Sequence, residues 1–206
     1  MARIKLTKTE LKAQSDALRR FQRFLPMLQL KKQQLQAEIA GIVAKAEAVT
    51  AKERAEREAL DGWVGLLASD ETATQGLVKV KEVRRGFANI AGVTIPVFGG
   101  IDAEVKKIDK WATPAWLDEA AVAAEKILSL KCEREIYEEQ RRLVTEELRQ
   151  TSQRVNLFEK VKIPECREAI RRIKIALGDE QTAAVTRGKI AKGRAPQSEG
   201  DGEVAA

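Results

Sequence analysis

The fold is decided by residues 115–163, which read AWLDEAAVAAEKILSLKCEREIYEEQRRLVTEELRQTSQRVNLFEKVKI. This stretch contains neither glycine nor proline. It is rich in alanine, glutamate, leucine, arginine and lysine, which are strong helix formers. A helix of this length would be about 75 Å long, whereas an ordinary globular helix has about 11 to 12 residues. The stretch therefore predicts one very long helix.

The residues on either side set the bounds of this helix. Thr113, which precedes a proline, suits the cap at the start. At the other side the apolar stripe continues at steps of three and four residues as far as Leu177, and Gly178 follows it. Pro164 interrupts the stripe without changing its phase, which predicts a local bend rather than a stop. We therefore expect a long C-terminal helix over residues 113–178.

A second long helix is predicted near the N-terminus, over residues 1–68. Thr-Lys-Thr-Glu at residues 7–10 fits a capping box, and apolar residues then recur in heptads, which is typical of a coiled-coil seam. The polar interruptions of this seam, which cost stability but fix register, are Gln14, Lys32, Glu53 and Glu56. Pro26 also lies inside the pattern, so one kinked helix is expected, with a break at Pro26 as the alternative.

The insert between the two helices, residues 69–112, has a different pattern. Two groups of β-branched residues flank a segment with Gly86, Asn89 and Gly92, which predicts a β-hairpin. Pro96 restricts its own strand to an edge. The hairpin is expected at the far end of the coiled coil.

Each helical stripe needs an apolar partner, and the other stripe is the nearest one available. The sequence therefore predicts a mainly α fold: a long antiparallel two-helix coiled coil with a small β-hairpin insert and a disordered C-terminal tail. The chain is expected to fray beyond Gly178, over residues 179–206, with disorder from Gly188 onward.

Composition argues against several classes of function. The 206 residues include no histidine and only two cysteines, so the commonest general base and metal ligand are missing. Cys132 and Cys166 have no C-x-x-C partner, and no phosphate-binding, dinucleotide-binding, zinc or calcium motif occurs. We expect no catalytic residue, no cofactor and no metal site. Neither a signal peptide nor a spanning helix is expected.

The positive charge is concentrated near the two ends of the chain. Residues 1–35 carry a net charge of +7 and residues 154–194 a net charge of +6, against +6 for the whole chain. In an antiparallel pair these stretches would meet at one basic tip, which could bind phosphates, enter an acidic protein cavity or simply face solvent. The residues of the tip are Arg19, Arg20, Arg23, Lys31, Lys32, Arg167, Arg171, Arg172 and Lys174. The tip lacks interleaved aromatic residues, which disfavours nucleic acid.

A longer motif lies in the C-terminal half of the chain. It reads RVNLFEKVKIPE over residues 154–165 and AIRRIK over residues 169–174. It resembles the pattern RVNxxE…IPxxxxxIxxIK of the D-subunit family of V-type ATPases and ATP synthases. Three further segments look like the same family: LTKTEL at 6–11, LQLKK at 28–32 and NIAGVTIP at 89–96. The resemblance covers about residues 4–178.

This resemblance implies a central rotor shaft that hydrolyses nothing itself. The paired termini would lie in the bore of a ring of catalytic and non-catalytic head subunits, where the basic tip would contact them. The hairpin end would engage the F subunit and the component that couples to the proteolipid ring, at the cytoplasmic face of the membrane, with membrane contact only through the complex. The expected contacts at this base are Val78, Val80, Val83, Val93, Ile95, Val97, Glu53 and Glu56.

Two other functions are compatible with the residues alone. One is a free-standing coiled-coil scaffold that self-associates, and the other is a basic nucleic-acid-binding coiled coil. The coupled ion, proton or sodium, and the direction, synthesis or pumping, are not encoded in a rotor shaft.

Overall fold

The computed structural model describes residues 5–62, 65, 76–106, 114 and 116–194. Its elements are α1 (Lys8–Leu60), β1 (Val78–Ile90), β2 (Val93–Val105), α2 (Trp116–Leu157), a π-helical turn (Phe158–Lys162) and α3 (Ile163–Arg194). The described residues are mainly helical and include an antiparallel β-hairpin, which confirms the predicted fold class. The expected cap at Thr113 and the expected disorder of residues 195–206 lie outside the described residues.

Helix α1 continues through Pro26 without a break. Its start matches the predicted capping box in part, because the Glu10 backbone N–H donates to Thr7 Oγ1 at 3.3 Å. Proline removes one backbone donor from the helix. The alternative of two separate helical segments is therefore wrong.

The second long helix accommodates Pro164 through one π-helical turn, Phe158–Lys162. The Ile163 backbone N–H donates to Phe158 O, five residues back, and α3 follows directly. A wider turn relieves the missing donor and the ring clash that proline imposes on the preceding turn. The helix passes this point without a stop, as the sequence predicts.

The end expected at Gly178 is wrong, because α3 continues to Arg194. The apolar stripe does end at Leu177, and residues 178–193 are all exposed. Burial and backbone hydrogen bonding are separate properties: the segment beyond Gly178 still contains several good helix formers and loses only its packing. The predicted disorder from Gly188 is therefore wrong for residues 188–194.

The chain divides into two compact units. The terminal unit consists of Met1–Met27 with Arg154–Ala206, and the middle unit consists of Leu28–Gln153. In the terminal unit, Phe21 packs against Phe158 with the ring centroids 5.0 Å apart. The buried residues that α3 contributes to this unit are Ile163, Cys166, Ala169 and Ile173.

In the middle unit, α1 and α2 run antiparallel. Lys31 pairs with Glu147, whereas Glu53, farther along α1, approaches Arg134, which is earlier on α2. The core between the helices contains Leu35, Ile42 and Val144, together with Ile95 from the hairpin.

The hairpin lies along this helix pair. Near its open end Leu77 packs against the start of α2, while at its turn Ile90 and Ala91 pack against the core that contains Leu35. The Gln140 side-chain amide donates to the Pro96 carbonyl oxygen, and Arg85 lies 3.5 Å from Glu139. The insert therefore starts at the expected end of the middle unit, but the hairpin does not stay there. It extends along the side of the helices, where apolar and polar contacts hold it, so the expected position at the far end is wrong for its turn.

A buried threonine in α2 provides a test of this packing. Thr151 is 0% exposed, and its Oγ1 has no hydrogen-bond partner among the described residues. Replacement of Thr151 by valine keeps the side-chain shape and removes an unpaired polar atom. We expect the free energy of unfolding to rise by about 1 kcal/mol in urea denaturation. A Thr145→Val variant, at an exposed position of α2, is the control, and a loss of stability in Thr151→Val alone would contradict the assignment.

Candidate functional site

The terminal unit carries most of the basic residues that the sequence assigns to the tip. Seven of them belong to it and are exposed, namely Arg19, Arg20, Arg23, Arg167, Arg171, Arg172 and Lys174. Two of the seven share one carboxylate, because Arg171 and Arg172 both donate to Glu168 at 2.9–3.0 Å, so these three side chains keep a net charge of +1. Among the described residues, no carboxylate lies within 4.0 Å of the other five.

The cations of α1 and those of α3 lie at different heights along the helix axis. Arg20 and Arg23 flank Phe21, which contacts Phe158. Arg167 lies nine residues beyond Phe158, which corresponds to about 14 Å along the helix axis. Within the terminal unit, Arg20 and Arg23 on α1 are therefore separated from Arg167 along the helix axis.

Lys31 and Lys32 belong to the middle unit. Lys31 Nζ lies 2.6 Å from Glu147 Oε1, across the two helices, and both side chains are partly buried. This lysine stabilises the fold of the middle unit, so it is a weaker candidate for a head contact than the exposed arginines.

The Glu168 ion pairs make a specific prediction about acid. Hydrogen bonds from Arg171 and then Arg172 lower the pKa of the Glu168 carboxyl from 4.5 to about 2. A lowered folded-state pKa means that the interaction is fully present above about pH 4.5 and is lost as the pH falls towards 2. Carbon-13 NMR titration should therefore find the Glu168 carboxyl ionised at about pH 3.

An Arg171→Gln/Arg172→Gln variant should move this titration upward, towards an ordinary glutamate. The carboxyl of Glu146, whose pKa is lowered to about 2 mainly by hydrogen bonds from Arg149 and Gln150, is an internal control and should not change. An unaltered Glu168 titration in the double variant would show that the arginines are not the cause.

The residues expected at the base differ widely in accessibility. The valines at 78, 80, 83 and 93 are half-buried, and Ile95 is part of the core of the middle unit. Val97 is 39% exposed, and Glu56 is half-buried. Val97 is therefore the member of the set most open to a partner.

Glu53 is occupied within the chain itself. It is 7% exposed, and its Oε1 accepts hydrogen bonds from Arg57 Nη2 at 2.8 Å and Nε at 3.2 Å. Its Oε2 lies 3.8 Å from Arg134 Nε, on the other helix. Glu53 therefore does interrupt the apolar seam, as the sequence predicts, but its side chain is buried and is not available to a partner.

Sequence reasoning missed two residues of the hairpin region. Phe87, on β1, is 78% exposed, the largest exposure of any large apolar side chain in the described residues. Gln140 is buried and holds the Pro96 carbonyl. Gln140 could have been found from its spacing, because it lies four residues from both Ile136 and Val144 and so shares their apolar helix face. A buried amide on such a face needs a hydrogen-bond partner.

Neither cysteine has the environment of a reactive thiol. Burial raises the pKa of both thiols, and neighbouring Glu135 and Glu165 raise those of Cys132 and Cys166 respectively. Within the described residues, no cluster of three or more acidic or cysteine side chains could hold a metal ion. No described helix has a segment sufficiently long and apolar to span a membrane.

Comparison with known proteins identifies the family. The family model for the D subunit of ATP synthase matches residues 10–193. The V-type ATP synthase D subunit of Borreliella burgdorferi is 44% identical over 192 residues, which cover 93% of this chain and 95% of that protein. The proteins of the same name from Chlamydia felis and Chlamydia caviae are 32% and 33% identical, with 99% of each chain covered. The chain therefore belongs to the D-subunit family of ATP synthases, as the RVNLFE and IP motifs of residues 154–164 indicated.

Proposed function

We propose that this chain is the central-stalk rotor subunit of a V-type ATPase or ATP synthase, which transmits torque between the nucleotide-processing head and the ion-translocating membrane ring. The supporting observation is the pairing of two long helices in the middle unit, joined by a buried apolar seam and by cross-helix ion pairs. A paired helix resists bending and twisting better than a single one. Membership of the D-subunit family supports the same role.

The proposed complex sets the chain's partners and location. The catalytic and non-catalytic head subunits would contact the exposed arginines of the terminal unit. The F subunit and the component that couples to the proteolipid ring would contact the middle unit, where Phe87 and Val97 are exposed apolar groups of the hairpin. The chain would be non-catalytic and would lie at the cytoplasmic face of the membrane. The scaffold and nucleic-acid alternatives are not favoured, because neither accounts for the family match over residues 10–193.

Reconstitution tests the rotor role. The purified chain should have no ATPase activity alone and should co-purify with the head subunits and the F subunit. A bead attached to the hairpin through an engineered cysteine at the exposed Lys79 should rotate in one direction when ATP is supplied to an immobilised head. A chain that fails to bind the head, or a bead that stays fixed while the head hydrolyses ATP, would contradict the proposal.

Charge reversal tests the proposed head contacts. The Arg19→Glu/Arg20→Glu/Arg23→Glu variant should weaken binding to the head by roughly tenfold or more, because repulsive charges in an interface are costly. All three positions are exposed, so the fold should be retained. The matched control reverses three exposed cations of the middle unit, Lys45, Lys52 and Arg54. Equal affinity of both variants for the head, measured by surface plasmon resonance, would show that the three arginines are not part of the interface.

A further inference from the structure

A cluster of charged residues closes one end of the helix seam in the middle unit. Glu53 is the last buried residue of α1, after Leu35, Ile42 and Val49 at heptad spacing. A carboxylate thus occupies a buried seam position at which the heptad pattern predicts an apolar side chain.

The cluster includes both helices. Arg57, one turn away on α1, donates twice to Glu53 Oε1, and Arg134 of α2 approaches the other carboxylate oxygen. Arg134 Nε is buried and has no hydrogen-bond partner among the described residues. Glu53 is therefore the neighbouring group that compensates the buried part of this guanidinium.

An apolar heptad seam does not by itself define one axial alignment. A slip of seven residues exchanges apolar contacts for other apolar contacts, at little cost. The charged pair makes the slip costly. Moving α2 by one heptad in one direction would place Arg134 opposite Ala46 and Glu53 opposite Ile127. Moving it in the other direction would place Arg134 opposite Leu60, while Glu53 would face Arg141. Glu53 would keep Arg57, which lies on the same helix, but Arg134, whose side chain is 34% exposed and whose Nε is buried, would lose its carboxylate. A partly buried cation without its partner is destabilising.

We propose that Glu53, Arg57 and Arg134 form a register lock, which fixes the axial alignment of α1 and α2 in the middle unit. The inference concerns the isolated chain and stands whether or not the chain is a rotor. It reassigns Glu53 from a partner contact to a residue that specifies how the chain pairs with itself. Buried polar groups act in this way in some coiled coils, at a cost in stability.

A native ion pair reports the register directly. Lys31 Nζ and Glu147 Oε1 are 2.6 Å apart, so a carbodiimide should join them by a zero-length amide bond in the full-length chain. The cross-link is mapped by mass spectrometry after proteolysis. If α2 slips by one heptad, residue 140 or residue 154 replaces Glu147 beside Lys31, and neither Gln140 nor Arg154 can form the amide bond.

The test variant is Glu53→Leu/Arg134→Leu, which should fold, because Glu53 is buried and Arg134 partly buried, and apolar replacements of such ion pairs are often neutral or stabilising. We expect the yield of the Lys31–Glu147 cross-link to fall by at least about threefold, with new Lys31 cross-links to Glu138 or Glu139. The single variant Glu53→Leu should lower the thermal unfolding temperature, since it leaves Arg134 unpaired. Glu47→Leu, which removes an exposed carboxylate of α1, should leave both measurements unchanged.

A second double variant, Glu53→Gln/Arg134→Gln, keeps polar side chains at both positions and covers the case in which the leucine variant does not fold. Wild-type cross-link yield in a folded double variant would overturn the proposal, because the apolar seam and the hairpin would then set the register alone. Faster hydrogen exchange limited to residues 50–60, with the Lys31–Glu147 yield retained, would also overturn it, since the cluster would then only hold down the end of α1.

Discussion

Replacement of Leu35 by alanine should lower the free energy of unfolding by about 3 to 4 kcal/mol. Leu35 is 0% exposed and lies at the centre of the core that joins α1, α2 and the hairpin. Its truncation removes the apolar area buried against Ile42, Ile95 and Val144 and leaves a cavity between three elements. Each of these elements is held by the others, so the cavity cannot close by moving one side chain.

Urea denaturation followed by circular dichroism measures this effect. Leu30→Ala is the matched control, because Leu30 is on the same helix and is 56% exposed, so its truncation should change stability by no more than about 0.5 kcal/mol. Similar losses for both variants would mean that the described core does not carry the stability of the middle unit.

Replacement of Gly100 by alanine should destabilise the hairpin by about 1 to 3 kcal/mol. Between the pairs Val83–Ile101 and Arg85–Phe98, β1 has one residue and β2 has two, which defines a β-bulge at Gly99 and Gly100. Gly100 has a φ of +108°, a backbone conformation that residues with a Cβ rarely adopt. An added Cβ would also lie 3.1 Å from Arg84 Nη2.

Gly86→Ala provides the control in the same hairpin. A Cβ at Gly86 would meet Val97 Cβ at 3.9 Å, an ordinary van der Waals contact. Hydrogen exchange of the β1 and β2 amides should increase in Gly100→Ala and stay close to wild type in Gly86→Ala. Unchanged protection in both variants would contradict the bulge.

The family and the elements were predictable because their signals are local. The helix-forming stretch of residues 115–163, the heptads of α1 and the hairpin glycines each depend on neighbours within a few turns. The bulge at Gly99 and Gly100 had a signal too, since paired glycines inside a strand pattern indicate an irregular ladder. The end of α3 was mispredicted because the last buried residue, rather than the last helix-forming one, was taken as the end of the helix.

The candidate sites were less predictable, because exposure is a tertiary property. Glu53, Ile95 and Lys31 were assigned to partner surfaces by their type and position, yet each is occupied within the middle unit. The sequence could not show that the hairpin lies along the helices, since the contact of Gln140 with Pro96 joins residues far apart in the chain.

The sequence by itself determined that this protein has two long helices with a hairpin insert, that it contains no histidine and that it resembles the D-subunit family. Those properties follow from composition, short-range periodicity and motifs. Only the tertiary structure decided which interruptions of the seam face inward, because burial of a carboxylate such as Glu53 depends on the second helix that covers it, while its charge is compensated by Arg57 on the same helix and by Arg134 on the other.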